Sequence, residues 1–538
     1  MKDKETFDEL QRQKKRKLQT SEERQKEFNN PAKSAPVKGA KKKAKKDAGE
    51  EKTFAKKFGI VLTVLQAVLS GTFLWALFTI NLLPMKYMAV VIFLVAALFL
   101  ITLATQKRHK GRASYGKALS ILMIIILGLG TFYLFKMNGA FDKVTGSSYK
   151  IDSIVVAVLK DDPAESIADA KDYTFGVQYA VSGDDVKQAV EAINKEIEAE
   201  IAVKEYASIQ EQATALHAGE VNAIIYNEGY TGMLNESISG YESSIKVIYR
   251  HEIKTEVQVQ EPEKVKNFSI TEDTFNVYLS GIDVYGAIST NSRSDVNIIA
   301  TVNPKTRQIL LTTTPRDFFV TIPGVSGGQR DKLTHAGIYG VEASIATLEN
   351  LYDTEIPFYA RVNFTSIMEI VNVLGGVDVY SEYSFTTSDN VVYIQKGMNH
   401  LNGKQALSFA RERYNVPGGD EQRGRNQQAV IVAMIRKMIS PQILIKANGI
   451  IDSVSGNVET NMSQKQIQQL IKMQLNEGGS WNIYSTSVTG SGGSDYTYSI
   501  PGTAVYVMYP DATSVGNAQN LMKRVEDGEK IDGSEVAE

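Results

Sequence analysis

Three apolar stretches follow one another near the start of this chain, roughly Phe58–Ile80, Tyr87–Ala104 and Ala118–Phe135, and none contains an Asp, Glu, Lys or Arg. Each approaches the ~20 residues that an α-helix needs to cross the hydrocarbon layer of a bilayer. A helix on the surface of a globular domain keeps a polar face, so three charge-free segments in succession predict three membrane spans. A cleaved signal peptide does not fit, because a long basic region precedes the first stretch and the apolar run is too extended.

Charge gives the expected orientation. Residues 1–57 are basic, with a run Lys41-Lys42-Lys43-Ala44-Lys45-Lys46. The link Leu82–Lys86 is nearly neutral, whereas Thr105–Lys117 holds Lys107, Arg108, Lys110, Arg112 and Lys117. Cytoplasmic loops collect Lys and Arg. The tail and the second link are therefore read as cytoplasmic, and three crossings place everything after Phe135 outside the cell. A multi-pass protein of the cell membrane, N-terminus inside, is expected. The composition of the tail is that of a disordered segment, which sets topology and touches anionic lipid. The net charge of -2 provides no global field for nucleic acid, and no nucleic-acid partner is expected. Cysteine is absent, which excludes disulfides and thiolate metal sites.

Two α/β units are expected beyond the membrane. In residues 150–260, Ser153–Leu159, Glu220–Tyr226 and Ser244–Tyr249 read as strands, and Asp184–Glu198 places Val186, Ala189, Val190, Ile193 and Ile197 on one helical face. No nucleophile–base pair or glycine-rich phosphate loop is present there, so the unit reads as a binding or spacer module. Lys254–Lys266 reads as a linker. In residues 268–525, strands are expected at Thr274–Ile282, Asp295–Val302, Gln308–Thr314, Val377–Tyr380, Trp481–Val488 and Thr503–Tyr509. The turn Asn303-Pro304-Lys305-Thr306 signals a hairpin. Helices are expected at Lys332–Leu351, Asn363–Leu374, Lys404–Arg411, Asp420–Ile439, Ile443–Val454 and Ser463–Leu475. Strands interleaved with helices predict an α/β fold with a mixed central sheet covered by helices. Residues 526–538 read as an acidic tail.

The chemistry concentrates in this larger unit. Arg411, Arg413, Arg423 and Arg425 crowd around a Pro417-Gly418-Gly419 turn. A guanidinium is a planar fork that matches phosphate oxygens two at a time. Outside the membrane ATP is scarce, so the phosphate belongs to some other carrier. Asp283 at a strand end and Asp295 at the start of the next strand form a pair that can share Mg²⁺ with substrate phosphates. Arg316-Asp317 follows another strand. Strand-end residues of an open α/β sheet collect at one edge, where ligands bind. Singly, these residues read as turn caps, a surface ion pair or a solvated helix face; their joint occurrence points to phosphate. Lys332 reads either as a phosphate contact or as a local cap, His335 as a helix-start or packing residue, and Arg425 as rim or structural. No Ser-His-Asp arrangement, zinc motif or P-loop is present.

Several motifs resemble the LytR–CpsA–Psr family: Ser292-Arg293-Ser294-Asp295, Val302–Asp317 (VNPKTRQILLTTTPRD), Lys332-Leu-Thr-His-Ala-Gly337, Asn372-Val-Leu-Gly-Gly-Val-Asp378, and Ala410–Gln428 (ARERYNVPGGDEQRGRNQQ). The likeness covers about residues 272–440 and continues more loosely to about 525. The three apolar stretches and the unit at 150–260 are similar to the streptococcal capsule-type members, which carry an accessory domain before the catalytic one. The resemblance implies a Mg²⁺-dependent phosphotransferase that moves a glycopolymer, capsular polysaccharide in this type, from a polyprenyl-pyrophosphate carrier to peptidoglycan. Capsule or wall assembly proteins would be neighbours. It implies that Arg293, Arg316, Arg411, Arg413, Arg423 and Gln427 surround the pyrophosphate. Asp283 and Asp295 would hold the metal. Asp295 and Asp420 would be candidate bases, Asp420 also orienting the arginines. Ile367, Ile370, Val371, Val430, Ile431 and Ile435 would line a tunnel for the prenyl chain, or else belong to ordinary core. Hydrolysis of the same pyrophosphate, and a non-enzymatic sensor of lipid-linked sugar, are the alternatives.

Overall fold

The computed structural model describes residues 38–81, 83–106, 112–145, 148–179, 182–257, 268–282, 291–440 and 458–536. Helices α1 (Lys38–Ile80), α2 (Met85–Gln106) and α3 (Arg112–Thr145) contain the apolar stretches. The segments Lys56–Ile80, Met85–Gln106 and Ser114–Lys136 are long and apolar enough to cross a membrane.

The chain divides into two compact units. One comprises residues up to Gly71 together with Leu94–Leu127. Its helices are tied by side-chain hydrogen bonds: Ser120 Oγ donates to Gln66 Oε1 at 2.7 Å, Thr102 Oγ1 to the same oxygen at 3.1 Å, and Thr63 Oγ1 to Gln106 Oε1 at 2.8 Å. Polar side chains that bond across helices supply the cohesion that hydrophobicity cannot supply between helices in lipid.

The other unit holds Thr72–Phe93 and everything from Gly128 onward. Its first sheet has five strands, β1 (Ser148–Leu159), β2 (Thr174–Val177), β3 (Ala202–Glu205), β4 (Ala223–Asn227) and β5 (Ile245–Val257), in the order β3-β2-β4-β1-β5. Strand β1 runs antiparallel to β4 and β5, and β2 parallel to β3 and β4. Helices α4 (Gly183–Ile197), α5 (Ile209–His217), α6 (Thr231–Ser237) and α7 (Tyr241–Ser244) accompany it. Val186, Ala189 and Ile193 of α4 are buried, as the helical spacing predicts. Strand β5 runs to Val257 and pairs with β1 throughout, so Lys254–Val257 is strand rather than linker; residues 258–267 lie outside the described residues.

The second sheet is mixed and six-stranded, and its long hairpin gives it its centre. Strands β6 (Phe275–Ile282), β7 (Ser294–Asn303) and β8 (Gln308–Thr314) are successive antiparallel neighbours. Two short strands, β9 (Phe319–Thr321) and β10 (Arg330–Lys332), pair beside it. Strand β11 (Phe358–Asn363) adds parallel to β6. Strands β12 (Val377–Ser381), β13 (Phe385–Thr386), β14 (Tyr393–Ile394) and β15 (Gly397–Leu401) form the pairs β12-β15 and β13-β14. Strand β16 (Val458–Thr460) closes one edge and β17 (Asn482–Ser487) the other, parallel to β8. Strands β18 (Gly490–Asp495) and β19 (Val505–Pro510) form a further antiparallel pair.

Helices cover both faces of this sheet. They are α8 (Leu333–Ala336), α9 (Val341–Tyr352), α10 (Phe364–Val373), α11 (Gly403–Arg411), α12 (Asp420–Met438), α13 (Gln464–Glu477) and α14 (Ala512–Glu526). One core joins Tyr278, Ile299 and Leu310 to Leu348, Leu521 and Val525; another joins Val277, Ile298 and Leu311 to Ile431 and Val432. The alternation along β6–β8 sends successive side chains to opposite faces, which is why both faces carry a core. Asn363 and Asn402 start α10 and α11 with reciprocal capping boxes.

Two expectations need revision and a third is not tested. The single helix at Lys332–Leu351 is two helices, because Gly340 at φ 113° breaks the run between α8 and α9. The helix at Ile443–Val454 falls outside the described residues. The residues after Glu526, read as an acidic tail, pack back onto the sheet: Ile531 and Val536 are buried, and Ile531 N–H donates to Gln308 Oε1 at 2.9 Å.

Candidate phosphate site

The site begins with a register slip. In the β6–β7 ladder Gly281 pairs with Val296 while Ile282 pairs with Ser294, which leaves Asp295 as the extra residue of a bulge. A bulge re-aims its side chain out of the alternating pattern. Because β7 and β8 are antiparallel, the start of β7 lies beside the end of β8, where Pro315 and Arg316 follow Thr314. Arg316 Nη1 donates to Asp295 Oδ1 at 2.9 Å, and Thr334 Oγ1 reaches the same oxygen at 3.3 Å. The backbone is pinned there as well: Thr334 N–H donates to Arg316 O at 2.8 Å.

A cavity of about 800 Å³ opens at this edge. Asp295, Arg316, Lys332, Arg423 and Gln427 line it, together with Glu236 from the first sheet's domain. Arg423 and Gln427 are one helical turn apart on α12, so they share a face. Burial pushes the Asp295 carboxyl up, but the charges of Arg316, Arg293 and Arg423 outweigh it and hold the group well below the usual carboxylate range. These three arginines therefore converge electrostatically on Asp295.

A second layer of ion pairs ties the cations down. Arg316 Nε stands 3.5 Å from Asp317 Oδ2, and Lys332 Nζ lies 3.2 Å from Asp317 Oδ1 and 2.7 Å from Glu236 Oε2. Arg293 Nη1 pairs with Glu236 Oε1 at 2.7 Å. Burial raises the Glu236 carboxyl, but His335, Lys332 and Arg293 together pull it down to about 2. His335 is fully buried, and its Nδ1 shares a 2.6 Å hydrogen bond with Asp331 Oδ1. A carboxylate only accepts, so Nδ1 carries the proton. Its packing role agrees with the sequence reading.

The arginine-rich loop divides. Glu412 is buried, in extended backbone at the end of α11, and accepts N–H bonds from Ser388, Tyr414 and Asn415 at 2.5, 2.8 and 2.9 Å. Successive side chains on extended backbone point to opposite sides. With Glu412 turned inward, Arg411 and Arg413 are exposed, and Arg413 lies over the Tyr414 ring at 4.7 Å. Neither lines the cavity. Arg425 does, held by Gln422 Oε1 at 2.9 Å and 3.5 Å from Glu382.

Of the expected site residues, then, the structure brings Arg316, Arg423, Gln427 and Asp295 together at the cavity, places Arg293 behind it on Glu236, and leaves Arg411 and Arg413 outside the cavity lining. Asp283 lies outside the described residues, as does the side chain of Asp420, which opens α12. Ile367, Ile370, Val371 and Val430 are packed in the core around α10–α12, and Ile431 and Ile435 belong to the core below the sheet. A small cavity is lined by Ile367, Ala410, Val430 and Ile431 together with Asp295 and Gln427. Glu236 was not foreseen, because no local motif marks a contact between two domains.

Known proteins match the same region. Residues 243–524 match the model of the LytR_cpsA_psr family. The polyisoprenyl-teichoic acid–peptidoglycan teichoic acid transferase TagU of Enterococcus faecalis is 35% identical over 221 residues, 40% of this chain and 71% of the relative. TagU of Bacillus cereus is 32% identical over 254 residues, 46% of this chain and 82% of the relative. The crystal structure of B. subtilis TagV superposes with a TM-score of 0.40 at 28% identity, covering 48% of this chain and 99% of TagV. Residues 116–226 also match a model described as a DNA polymerase processivity factor; that span starts inside the apolar helix α3, ends in β4 and falls well short of half the chain. The family match spans more than half of the chain and contains the whole arginine–aspartate constellation, and on that ground the chain belongs to the LytR–CpsA–Psr family.

Proposed function

We propose that this protein is a membrane-anchored transferase that moves a glycopolymer from a polyprenyl-pyrophosphate carrier to peptidoglycan on the outer side of the membrane. The observation that carries the reading is the Arg316 fork bonded to the bulged Asp295 at the edge of a cavity of about 800 Å³ that Arg423 and Gln427 also line. The relatives' names supply the reaction class: transfer of teichoic acid from a polyisoprenyl carrier to peptidoglycan. The outward orientation rests on the basic tail and second link. The finer choice of capsular polysaccharide rests on the domain at 150–260 and the three-span anchor.

The pyrophosphate already carries the energy of transfer, so no nucleotide is required. A sugar hydroxyl of peptidoglycan attacks the phosphorus that bears the polymer. A new P–O bond forms, the bridging P–O bond breaks, polyprenyl phosphate leaves, and the hydroxyl proton passes to a base or to water. Arg316 and Arg423 stabilise charge on the transferring and leaving phosphates from fixed positions, which is where preorganised donors are most effective. Asp295 is held too far below neutrality to be a strong base, so its part is to orient Arg316 and to present a hard oxygen. Asp420 is the remaining candidate for the proton, and a loose transition state asks little of a base.

Mg²⁺ belongs to the proposal. Among the described residues no three His or acidic side chains gather as a metal cage. Mg²⁺ is usually held by one or two carboxylates plus substrate phosphates and water, and Asp295 with Asp283 fits that donor set. When bound, the ion would neutralise phosphate charge.

The test is cellular. Depleting the protein is expected to lower wall-attached polymer and to raise its lipid-linked precursor. Unchanged attachment, in cells without a second family member, would refute the reading.

A further inference from the structure

The domain at 150–260 packs on the larger one through side chains that reach the cavity. Its core includes Ile338, Ile500 and Val505 of the larger domain, and Gln210 Nε2 donates to Ser499 O at 3.0 Å. At the centre of this contact stands Glu236 on α6. Its two oxygens take different cations, Arg293 on Oε1 and Lys332 on Oε2, each at 2.7 Å, and His335 Nε2 lies 3.9 Å from Oε2. Arg293 is seated closely: a β-carbon at Gly232, one turn before Glu236, would overlap its guanidinium. Lys332 has a 4% exposed side chain and sits between Glu236 and Asp317, while Asp317 in turn contacts Arg316.

These contacts form one chain of alternating charges from the first domain to the bulge: Glu236, Lys332, Asp317, Arg316, Asp295. Lys and Arg side chains carry rotamer entropy that a fixed counter-charge removes before substrate arrives. We propose that Glu236 is a positioning residue of the transferase site, so that the 150–260 domain completes the active site instead of acting as a spacer. This rests on the transferase reading above. Without Glu236, Lys332 has Asp317 as its remaining carboxylate; it draws Asp317 away from Arg316 and loosens the pair that faces the transferring phosphate. One anion fewer also leaves the cavity more positive. The two effects have opposite signs: looser positioning slows turnover, while the more positive cavity holds a phosphate ligand more tightly in the ground state.

The experiment uses the full chain in detergent micelles, with wild type, E236Q, E236D and the control E228Q, whose wild-type carboxylate pairs with Arg250 outside the cavity. Polymer transfer from a lipid-pyrophosphate donor is measured as kcat and KM, and inorganic pyrophosphate is titrated separately. E236Q is expected to lower kcat about tenfold, with KM unchanged where only the transition-state interaction is lost and lowered where the more positive cavity also tightens the ground state. It is expected to bind pyrophosphate more tightly, E236D to recover part of kcat, and E228Q to behave as wild type. A fall in kcat that tracks only the folded fraction, with pyrophosphate affinity unchanged or weaker, overturns the proposal. Wild-type kcat in E236Q overturns it as well. If wild type itself transfers no polymer, the transferase reading fails, and the pyrophosphate titration still decides whether Glu236 governs the site.

Discussion

Arg316 Nη1 donates to Asp295 Oδ1 at 2.9 Å, joining the end of β8 to the bulged start of β7. The bond sets a fork in place at the cavity edge, and Lys cannot reproduce a fork. R316K keeps the charge that Asp295 needs and loses the geometry. Steady-state kinetics should show kcat lower by roughly 100-fold, the lower end of the range seen when a single preorganised donor is removed. The melting temperature should stay close to that of wild type.

Arg411 and Arg413 are exposed beyond the cavity lining, so their contribution should differ in kind. R413A is expected to raise KM for the lipid-linked donor more than it lowers kcat, with no loss of thermal stability. R411A should follow it. The same kinetic comparison with R316K checks both, and equal losses of kcat in all three would mean that one clamp acts at the chemical step.

Glu412 turns inward to hold three backbone N–H groups. E412A leaves those part-buried donors without their acceptor, at about 1–3 kcal/mol for each one that water cannot reach. Denaturant unfolding should report a loss of at least ~2 kcal/mol for a site where several such groups are stranded. Donor KM should rise too, because Arg411 and Arg413 flank the same turn.

Acid should open the contact between the two domains. The folded-state carboxyl of Glu236 lies at about 2, and those of Asp331 and Asp295 are also lowered. A depressed folded value contributes stability that is present above the ordinary carboxylate range and lost as pH falls toward the folded value. For Glu236 the full contribution is on the order of 3 kcal/mol. Melting temperature should therefore fall between about pH 4.5 and pH 2, and E236Q should flatten that slope.

Much of this fold was legible in the sequence because its elements have strong periodicity. The β7–β8 hairpin around Asn303–Thr306 and the stripe of α4 were read at nearly their observed limits, whereas β1, read as Ser153–Leu159, starts five residues earlier at Ser148. The elements missed are those that tertiary pairing imposes. Strand β3 is exposed along its length and holds its place by pairing with β2. Strand β18 is Gly-Ser-Gly-Gly-Ser-Asp, without a single β-forming residue, and exists because β19 pairs with it. Helix α14 does carry an apolar stripe, Val515, Ala518, Leu521, Met522 and Val525, which periodicity alone could have found.

The site was half legible. Asp295 and Arg316 sit at strand ends, whose positions predict convergence, Arg423 stands in the arginine cluster, and Gln427 entered through the resemblance to the family. The outward turn of Arg411 and Arg413 was hidden, because it depends on which backbone N–H groups Glu412 reaches. Glu236 was hidden for a different reason: its partners Arg293 and Lys332 lie in another domain, and an isolated Glu on a short helix carries no local signal.

The most direct measurement of the central claim is the product itself. The full chain in detergent, given polyprenyl-pyrophosphate-linked polymer, peptidoglycan and Mg²⁺, should yield a phosphodiester between polymer and peptidoglycan and an equal amount of polyprenyl monophosphate, both seen by mass spectrometry. Omitting peptidoglycan should suppress the monophosphate. Polyprenyl monophosphate released at the same rate without acceptor, with no phosphodiester formed, would contradict transfer and identify a hydrolase.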